Sequence, residues 1–363
     1  MKIKLLDAYI VRKFLGTFFF ALGLIILIAI VFDISEKIDD FIEKEAPLRE
    51  IVFDYYLNFI PYFGNLFSPL FVFISVIFFT SRMSANTEIV AILASGISFK
   101  RFLLPYMIAA TVIAGISLYL NNSVLPHANV KRTKFELEYI KNRFVYKSRN
   151  VHRQVSPGQY IYFESYNNTD NIGYQFSFEK FADGKLTFKL LSDRIFWDSV
   201  KTKWTVENYF IRSINGLKEE MKYGYRFDTT FTFTPADFNR RVDYAVETMD
   251  YTELNSFIEA EKMRGSEEVV FYQIEKYKRF SYPLATFILT LIGVSLSSKK
   301  ARGGIGVQIG LGILLSFTYI MFMQISTTFA TNGNVPALLA VWIPNLIFAV
   351  VAFFLVRNRI VGG

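Results

Sequence analysis

Five stretches of this chain contain no Asp, Glu, Lys or Arg: 14–32, 55–81, 102–127, 280–298 and 303–356. A helix needs about 20 apolar residues to cross roughly 30 Å of hydrocarbon, so each of the first four predicts one span. The last is long enough for two, and Thr331-Asn-Gly-Asn-Val-Pro336 supplies turn residues to divide it. Six membrane helices are therefore expected. A 363-residue chain that is 52% hydrophobic is more apolar than a soluble protein of that length. The first stretch follows Lys2, Lys4, Arg12 and Lys13, as in a signal peptide, but it has full span length. It runs on into Phe32-Asp-Ile-Ser-Glu-Lys rather than a small-residue cleavage pattern, so it reads as a retained helix.

Basic residues set the expected orientation. Besides the amino-terminal four, Arg82, Lys100 and Arg101 follow the second span, Lys299, Lys300 and Arg302 follow the fourth, and Arg357 and Arg359 end the chain. The first loop instead holds Asp33, Glu36, Asp39, Asp40, Glu43, Glu45, Glu50 and Asp54 against Lys37, Lys44 and Arg49. Both termini are expected in the cytoplasm. The net charge of +8 is partly this bias, so it does not imply a nucleic-acid partner. With no cysteine there is neither a disulfide nor a thiolate metal site. His127 and His152 lie outside the spans without a partner motif, and no metal, cofactor or catalytic residue is expected.

The domain plan is three spans over 1–123, an outer β domain with flanking helices over 124–279, and three spans over 280–363. The outer domain opens with a helical pattern over Asn129–Phe144. It then alternates with period two: Ile161 and Phe163 against Tyr160 and Tyr162; Tyr174, Phe176 and Phe178; Leu186, Phe188 and Leu190; Trp204 and Val206; Phe227 to Phe233. Turn signals at 167–171, 182–185, 198–203 and 215–216 separate these runs, which predicts antiparallel strands in a sandwich, roll or barrel. Thr252 to Gly265 reads as a helix with an apolar stripe of Leu254, Phe257 and Ile258, and Val269–Lys278 as another that leads into span four.

Ion-coupled transporters carry ionisable groups inside the membrane, and these spans have none. Their polar residues are amides such as Asn58, Asn65, Asn121, Gln308, Gln324 and Asn345, best read as helix–helix hydrogen bonding. No phosphate loop is present either. Any work must therefore be powered by another chain. Between spans two and three lies Asn86-Thr-Glu-Ile-Val-Ala-Ile-Leu-Ala-Ser-Gly-Ile-Ser-Phe-Lys-Arg101, too polar to span and too apolar for a plain loop. As a helix over 87–95 it puts Ile89, Ile92 and Leu93 on one side, Glu88 in the first turn and Gly96 at the end. Ser98 then caps span three. Such an element either docks on a cytoplasmic ATPase or lies on lipid; a polar face of Asn86, Thr87, Glu88 and Ser95, without Lys or Arg, suits docking as well as lipid.

Together these stretches resemble the lipopolysaccharide-export permeases of the LptF/LptG family. The resemblance rests on Asp7-Ala-Tyr-Ile-Val-Arg-Lys-Phe, Glu88-Ile-Val-Ala-Ile-Leu-Ala-Ser-Gly-Ile-Ser, the outer β domain, Thr252-Glu-Leu-Asn-Ser-Phe-Ile and Tyr282-Pro-Leu-Ala. It implies a multi-pass inner-membrane transport subunit with a periplasmic jellyroll-like domain and no nucleotide site of its own. The implied partners are a cytoplasmic ATPase dimer, a sister permease and a single-span protein with a similar β domain; the implied cargo is lipopolysaccharide. Carried over by position, Glu88, Ile89, Ile92, Leu93, Ser95 and Gly96 form the ATPase-coupling helix. Lys37 is the candidate for the lipid head group, and spans one and five form the walls of lipid entry. Phe163, Phe176, Phe188, Trp204 and Phe231 are candidates for lining a lipid path, with a simple domain core as the alternative. Asn332-Gly-Asn-Val-Pro-Ala is similar to the G-type loop. The acidic first loop departs from the family's basic pattern, and it suits a phosphorylated head group only with bridging divalent cations or with the phosphates held by the sister subunit. Two other functions are weighed: a permease for another lipid or lipoprotein, and a membrane-embedded lipid enzyme.

Overall fold

A computed structural model describes residues 4–140, 149–238, 246–266, 268–299, 304–333 and 335–361. Lys2, Lys300, Arg302, Gly303, Asn334 and residues 141–144 of the predicted outer helix lie outside the described residues. Six helices in it are long and apolar enough to cross a membrane. They are α1 (Leu5–Glu43), α2 (Leu48–Ala85), α4 (Phe99–Ile140), α6 (Val269–Ser297), α7 (Gly304–Asn332) and α8 (Ala337–Val361). The short α3 (Glu88–Ala94) separates α2 from α4, and α5 (Tyr251–Met263) precedes α6. By internal contacts the chain divides into two units. One comprises Met1–Ile140, Glu247–Tyr251 and Val270–Gly363; the other comprises Lys141–Val246 and Thr252–Val269.

The helices overrun their charge-free stretches. At 1.5 Å per residue, the 39 residues of α1 reach about 58 Å and the 42 of α4 about 63 Å, twice the hydrocarbon thickness. Helix α4 continues past the predicted boundary at 124, widening into π turns at Leu120–Val124 and Glu136–Ile140. The side-chain amides of Asn121 and Asn122 donate to the carbonyls of Ser117 and Leu118, four residues back on the same helix. Helix α2 has a π turn at Ile51–Tyr56. The pattern over Val269–Lys278 is not a separate helix: it is the start of α6.

Apolar residues of α1, α2, α4 and α6 form one packed cluster, including Phe14, Val76, Tyr106 and Val294; α2, α6, α7 and α8 form another around Phe73, Ile292, Tyr319 and Val341. The buried amides tie helices to one another. Asn65 donates to Asn121 (3.0 Å) and accepts from Ser117 (2.7 Å); Asn345 accepts from Tyr319 (2.9 Å) and donates to Ser281 (2.6 Å). Within the glycine-rich entry to α7, Gly312 lies close to α2: a Cβ there would meet the end of the Ile77 side chain.

The β unit is one antiparallel sheet in chain order: β1 (Arg149–Ser156), β2 (Gln159–Asn167), β3 (Ile172–Ala182), β4 (Lys185–Asp198), β5 (Lys203–Asn215) and β6 (Lys218–Thr229). Among the described strands none pairs out of sequence, as the strands of a full jellyroll would. The predicted turns join the strands, with Asp183 and Gly184 both left-handed in the β3–β4 hairpin. Alternation places Ile161, Phe163, Phe176, Phe178, Leu190, Trp204 and Val206 in one core. The predicted run to Phe233 departs here: β6 stops at Thr229, and Phe231, Phe233 and Phe238 join that core from an irregular segment.

The chain re-enters the helical unit at Glu247. Its carboxylate accepts from Arg132 of α4 (2.9 Å) and Tyr62 of α2 (3.4 Å), while its carbonyl accepts from Asn129 (3.0 Å). Burial holds the Glu247 carboxyl above its ordinary range, outweighing the opposing pull of Arg132.

Candidate functional site

The site forms where α1 begins, α2 ends and α4 begins. Thr87 takes a left-handed conformation (φ 61°) that turns the chain out of α2 into α3, and Gly96 (φ 89°) turns it out again. Ser98 caps α4 by accepting from the Arg101 backbone N–H at 3.3 Å, as the sequence suggests.

The carboxylate of Glu88 is held from two sides. Tyr9 Oη of α1 donates to Oε2 and Asn86 Nδ2 to Oε1, each at 3.2 Å. Two residues back along α1, the guanidinium of Arg101 grips Asp7 with two hydrogen bonds of 2.7 and 2.6 Å. Asp7 is 2% exposed and also accepts the Lys4 backbone N–H at 3.1 Å, one of the unpaired donors of a helix start. A bidentate pair of this kind fixes direction as well as distance. The first turns of α1, helix α3 and the start of α4 are therefore fastened together by polar contacts over an apolar floor.

That floor takes the stripe predicted for docking. Ile89 is 1% exposed, and Ile92 and Leu93 pack half-buried against the same cluster as Met83, Phe99 and Phe102. The opposite side of α3 presents Val90, 62% exposed, together with Ala91, Ala94, Ser95 and Gly96; Ser95 Oγ donates to the Ile92 carbonyl. Sequence periodicity identified the buried stripe but not what buries it. It missed Tyr9, Asp7 and Arg101 as the fastenings, and Val90 as the exposed apolar side chain.

Lys37 stands in the later half of α1, where it forms an i, i+4 ion pair with Asp33 and donates to Tyr55 Oη. Tyr55 and Tyr56 both donate to Asp33, at 3.2 and 3.1 Å, and the π turn carries these two neighbours. The lysine side chain is 20% exposed and also lies 4.9 Å from the Tyr55 ring. It is thus already engaged within the chain. No group of three or more His, Asp or Glu side chains able to hold a metal ion occurs among the described residues. His127 contacts the Ser123 carbonyl, and His152 lies against Tyr162 in the sheet with the two rings tilted by 40°.

Of the predicted lipid-path residues, Phe163, Phe176 and Trp204 are buried and Phe188 and Phe231 half-buried. Their contacts come largely from the segment after β6. Phe233 lies 5.3 Å from Trp204 and stacks on Phe231 at 5.0 Å, and the Trp204 indole donates to the Phe233 carbonyl. Phe238 sits edge-on to Phe163 at 5.3 Å. Rings from residues 231–238 thus occupy the apolar face of the sheet.

Compared with known families, residues 8–358 match the model of the lipopolysaccharide export system permease LptF/LptG. No curated protein matches the chain.

Proposed function

The chain belongs to the LptF/LptG family of lipopolysaccharide export permeases, and we propose that it transmits the motion of a cytoplasmic ATPase to spans that extract the lipid from the inner membrane. Six apolar helices make it a multi-pass membrane protein, and family membership makes it a transport subunit rather than an enzyme. The observation that carries the proposal is the mounting of α3. A seven-residue helix is fixed at the ends of three spans, with a carboxylate held in place and Val90 facing outward.

In this reading the excess of Lys and Arg around the termini and α3 places that end in the cytoplasm. Glu88, Val90, Ser95 and Gly96 meet the ATPase, while Ile89, Ile92 and Leu93 anchor α3 so that a push is not lost in local bending. A pair of ATPase copies, a sister permease of the same family and a single-span β-domain protein complete the complex. Spans α1 and α7 wall the lipid's entry. Lys37 reaches a lipid phosphate only when Asp33 or Tyr55 releases it. In the β unit, acyl chains pass along Phe163, Phe176, Phe188, Trp204 and Phe231, the face that Phe233 and Phe238 cover; passage requires those two rings to move aside.

The test is Glu88→Lys in the co-expressed complex. The variant is expected to insert normally and to lose the ATPase during purification, because it reverses the charge beside Tyr9 and on the docking surface. Undiminished co-purification of the ATPase overturns the reading. Mass spectrometry of lipid bound to the wild-type complex distinguishes lipopolysaccharide from another lipid or a lipoprotein.

A further inference from the structure

Beside the coupling site, a groove of about 760 Å³ runs along the first turns of α1 and reaches Phe78 of α2. Its lining opens with Leu5 and Ala8; Tyr9, Arg12 and Lys13 follow, and Gly16, Thr17 and Phe20 lie further along α1, with Phe78 contributed by α2. Positions 9, 12, 13, 16 and 20 recur at three- and four-residue steps, so the trough follows one face of the helix. Phe20 is 74% exposed.

We propose that this groove binds an acidic phospholipid of the cytoplasmic leaflet, its phosphate between Arg12 and Lys13 and an acyl chain over Gly16 against Phe20 and Phe78. The orientation is the one proposed above. Three observations favour this occupant. First, Arg12 and Lys13 are both exposed, and neither pairs with a carboxylate among the described residues; nearby Arg101 is taken up by Asp7. Two adjacent uncompensated cations call for an anion. Second, a Cβ built on Gly16 meets nothing within 4 Å, so the trough is open where a chain must lie. Third, the cations sit at the end of α1 that precedes the charge-free stretch, which is headgroup depth, and the part of the groove along Gly16 and Phe20 continues into that stretch. Tyr9 belongs both to this groove and to the Glu88 hydrogen bond. The lipid therefore lies against the residue that fastens the coupling helix, and its occupancy bears on how firmly α3 is held.

The experiment measures retention of phosphatidylglycerol against phosphatidylethanolamine by native mass spectrometry of the full-length protein. Near a membrane surface each basic residue contributes about fivefold to acidic-lipid binding, so Arg12→Gln with Lys13→Gln lowers the preference roughly thirtyfold. Gly16→Leu fills the trough without changing charge, and retention falls while the melting temperature stays at the wild-type value. Wild-type retention in Gly16→Leu reduces the effect to general surface attraction and overturns the proposal. So does efficient crosslinking of a cysteine at position 16 to a second permease chain in phosphatidylglycerol membranes, since a protein then fills the groove. The readout needs no ATPase, so it stands or falls separately from the docking of α3.

Discussion

Replacing Arg101 by Met keeps most of the apolar stem and removes the guanidinium. Asp7, 2% exposed, then loses both charge-assisted hydrogen bonds and keeps only the Lys4 backbone N–H. Stranding a buried carboxylate costs about 3–5 kcal/mol; the lower end applies here, because the pair sits at a helix end. The reverse deletion, Asp7→Asn, leaves an Arg101 side chain that is already 32% exposed and turns readily to water, so its cost is about 1 kcal/mol. The double variant no longer buries an unpaired charge and should cost little more than Asp7→Asn alone. The coupling energy of the pair is then about 3 kcal/mol. For a chain of this size 1 kcal/mol corresponds to roughly 2 °C, giving falls in Tm of about 6, 2 and 2–3 °C. The assay is tryptophan fluorescence of the purified protein in one detergent at one scan rate. Equal falls for the two single variants, with the double variant at their sum, would refute the reasoning, because that pattern means no interaction across the pair.

Two further outcomes test the β unit and the re-entry point. The rings of Phe178 and Phe231 lie 5.1 Å apart, and the chain has no cysteine of its own. Tying cysteines at these positions with a short thiol crosslinker should therefore abolish lipid release from the assembled complex while ATP hydrolysis continues; undiminished release shows that residues 231–238 need not move. At Glu247 the folded protein favours the neutral carboxyl. Its contribution to stability is thus full below the ordinary value of 4.5 and falls as pH rises through the raised folded value. Glu247→Gln should flatten that part of a Tm–pH profile, and a profile unchanged by the substitution sinks the assignment.

The six spans were legible because exclusion of charge over some 20 residues has few causes other than hydrocarbon. Helix ends were not. Asp33 to Glu43 continue α1 although they are rich in acid, since a helix outside the bilayer tolerates charge. The domain boundary expected at 123–124 falls inside α4, where the amides of Asn121 and Asn122 bond back to their own helix. In the sheet, alternation identified the strands that bury one face. It overlooked β1, a largely polar strand at the sheet's edge, paired among the described strands with β2 alone. Helix α3 was visible from Glu88, the apolar spacing and Gly96. Its fastenings were not, because Tyr9 is 79 residues from Glu88 and Asp7 is 94 from Arg101, separations at which no periodicity operates.

Those distant fastenings bear on how an electrically silent bundle is moved. Helix α1 carries polar attachments on both sides of its apolar stretch: Asp7 and Tyr9 before it, Asp33 and Lys37 after it. From Tyr9 to Asp33 the rise is about 36 Å, slightly more than the hydrocarbon thickness. Between them, Phe14 and Phe18 are packed into the shared cluster, and a close-packed interface shifts between discrete arrangements rather than yielding gradually. A displacement of α3 that keeps the Tyr9 contact, with Arg101 of α4 still on Asp7, must then shift or rotate α1 as a rod, and the Asp33–Lys37–Tyr55 cluster is where that movement reappears. If α1 acts in this way, Arg101→Met should uncouple ATP hydrolysis from lipid release beyond what its loss of Tm accounts for. A variant destabilised to the same degree in the α7–α8 packing should keep the two in proportion. Equal uncoupling in both variants would reduce the Asp7–Arg101 pair to a stabilising contact and leave α1 without a part in transmission.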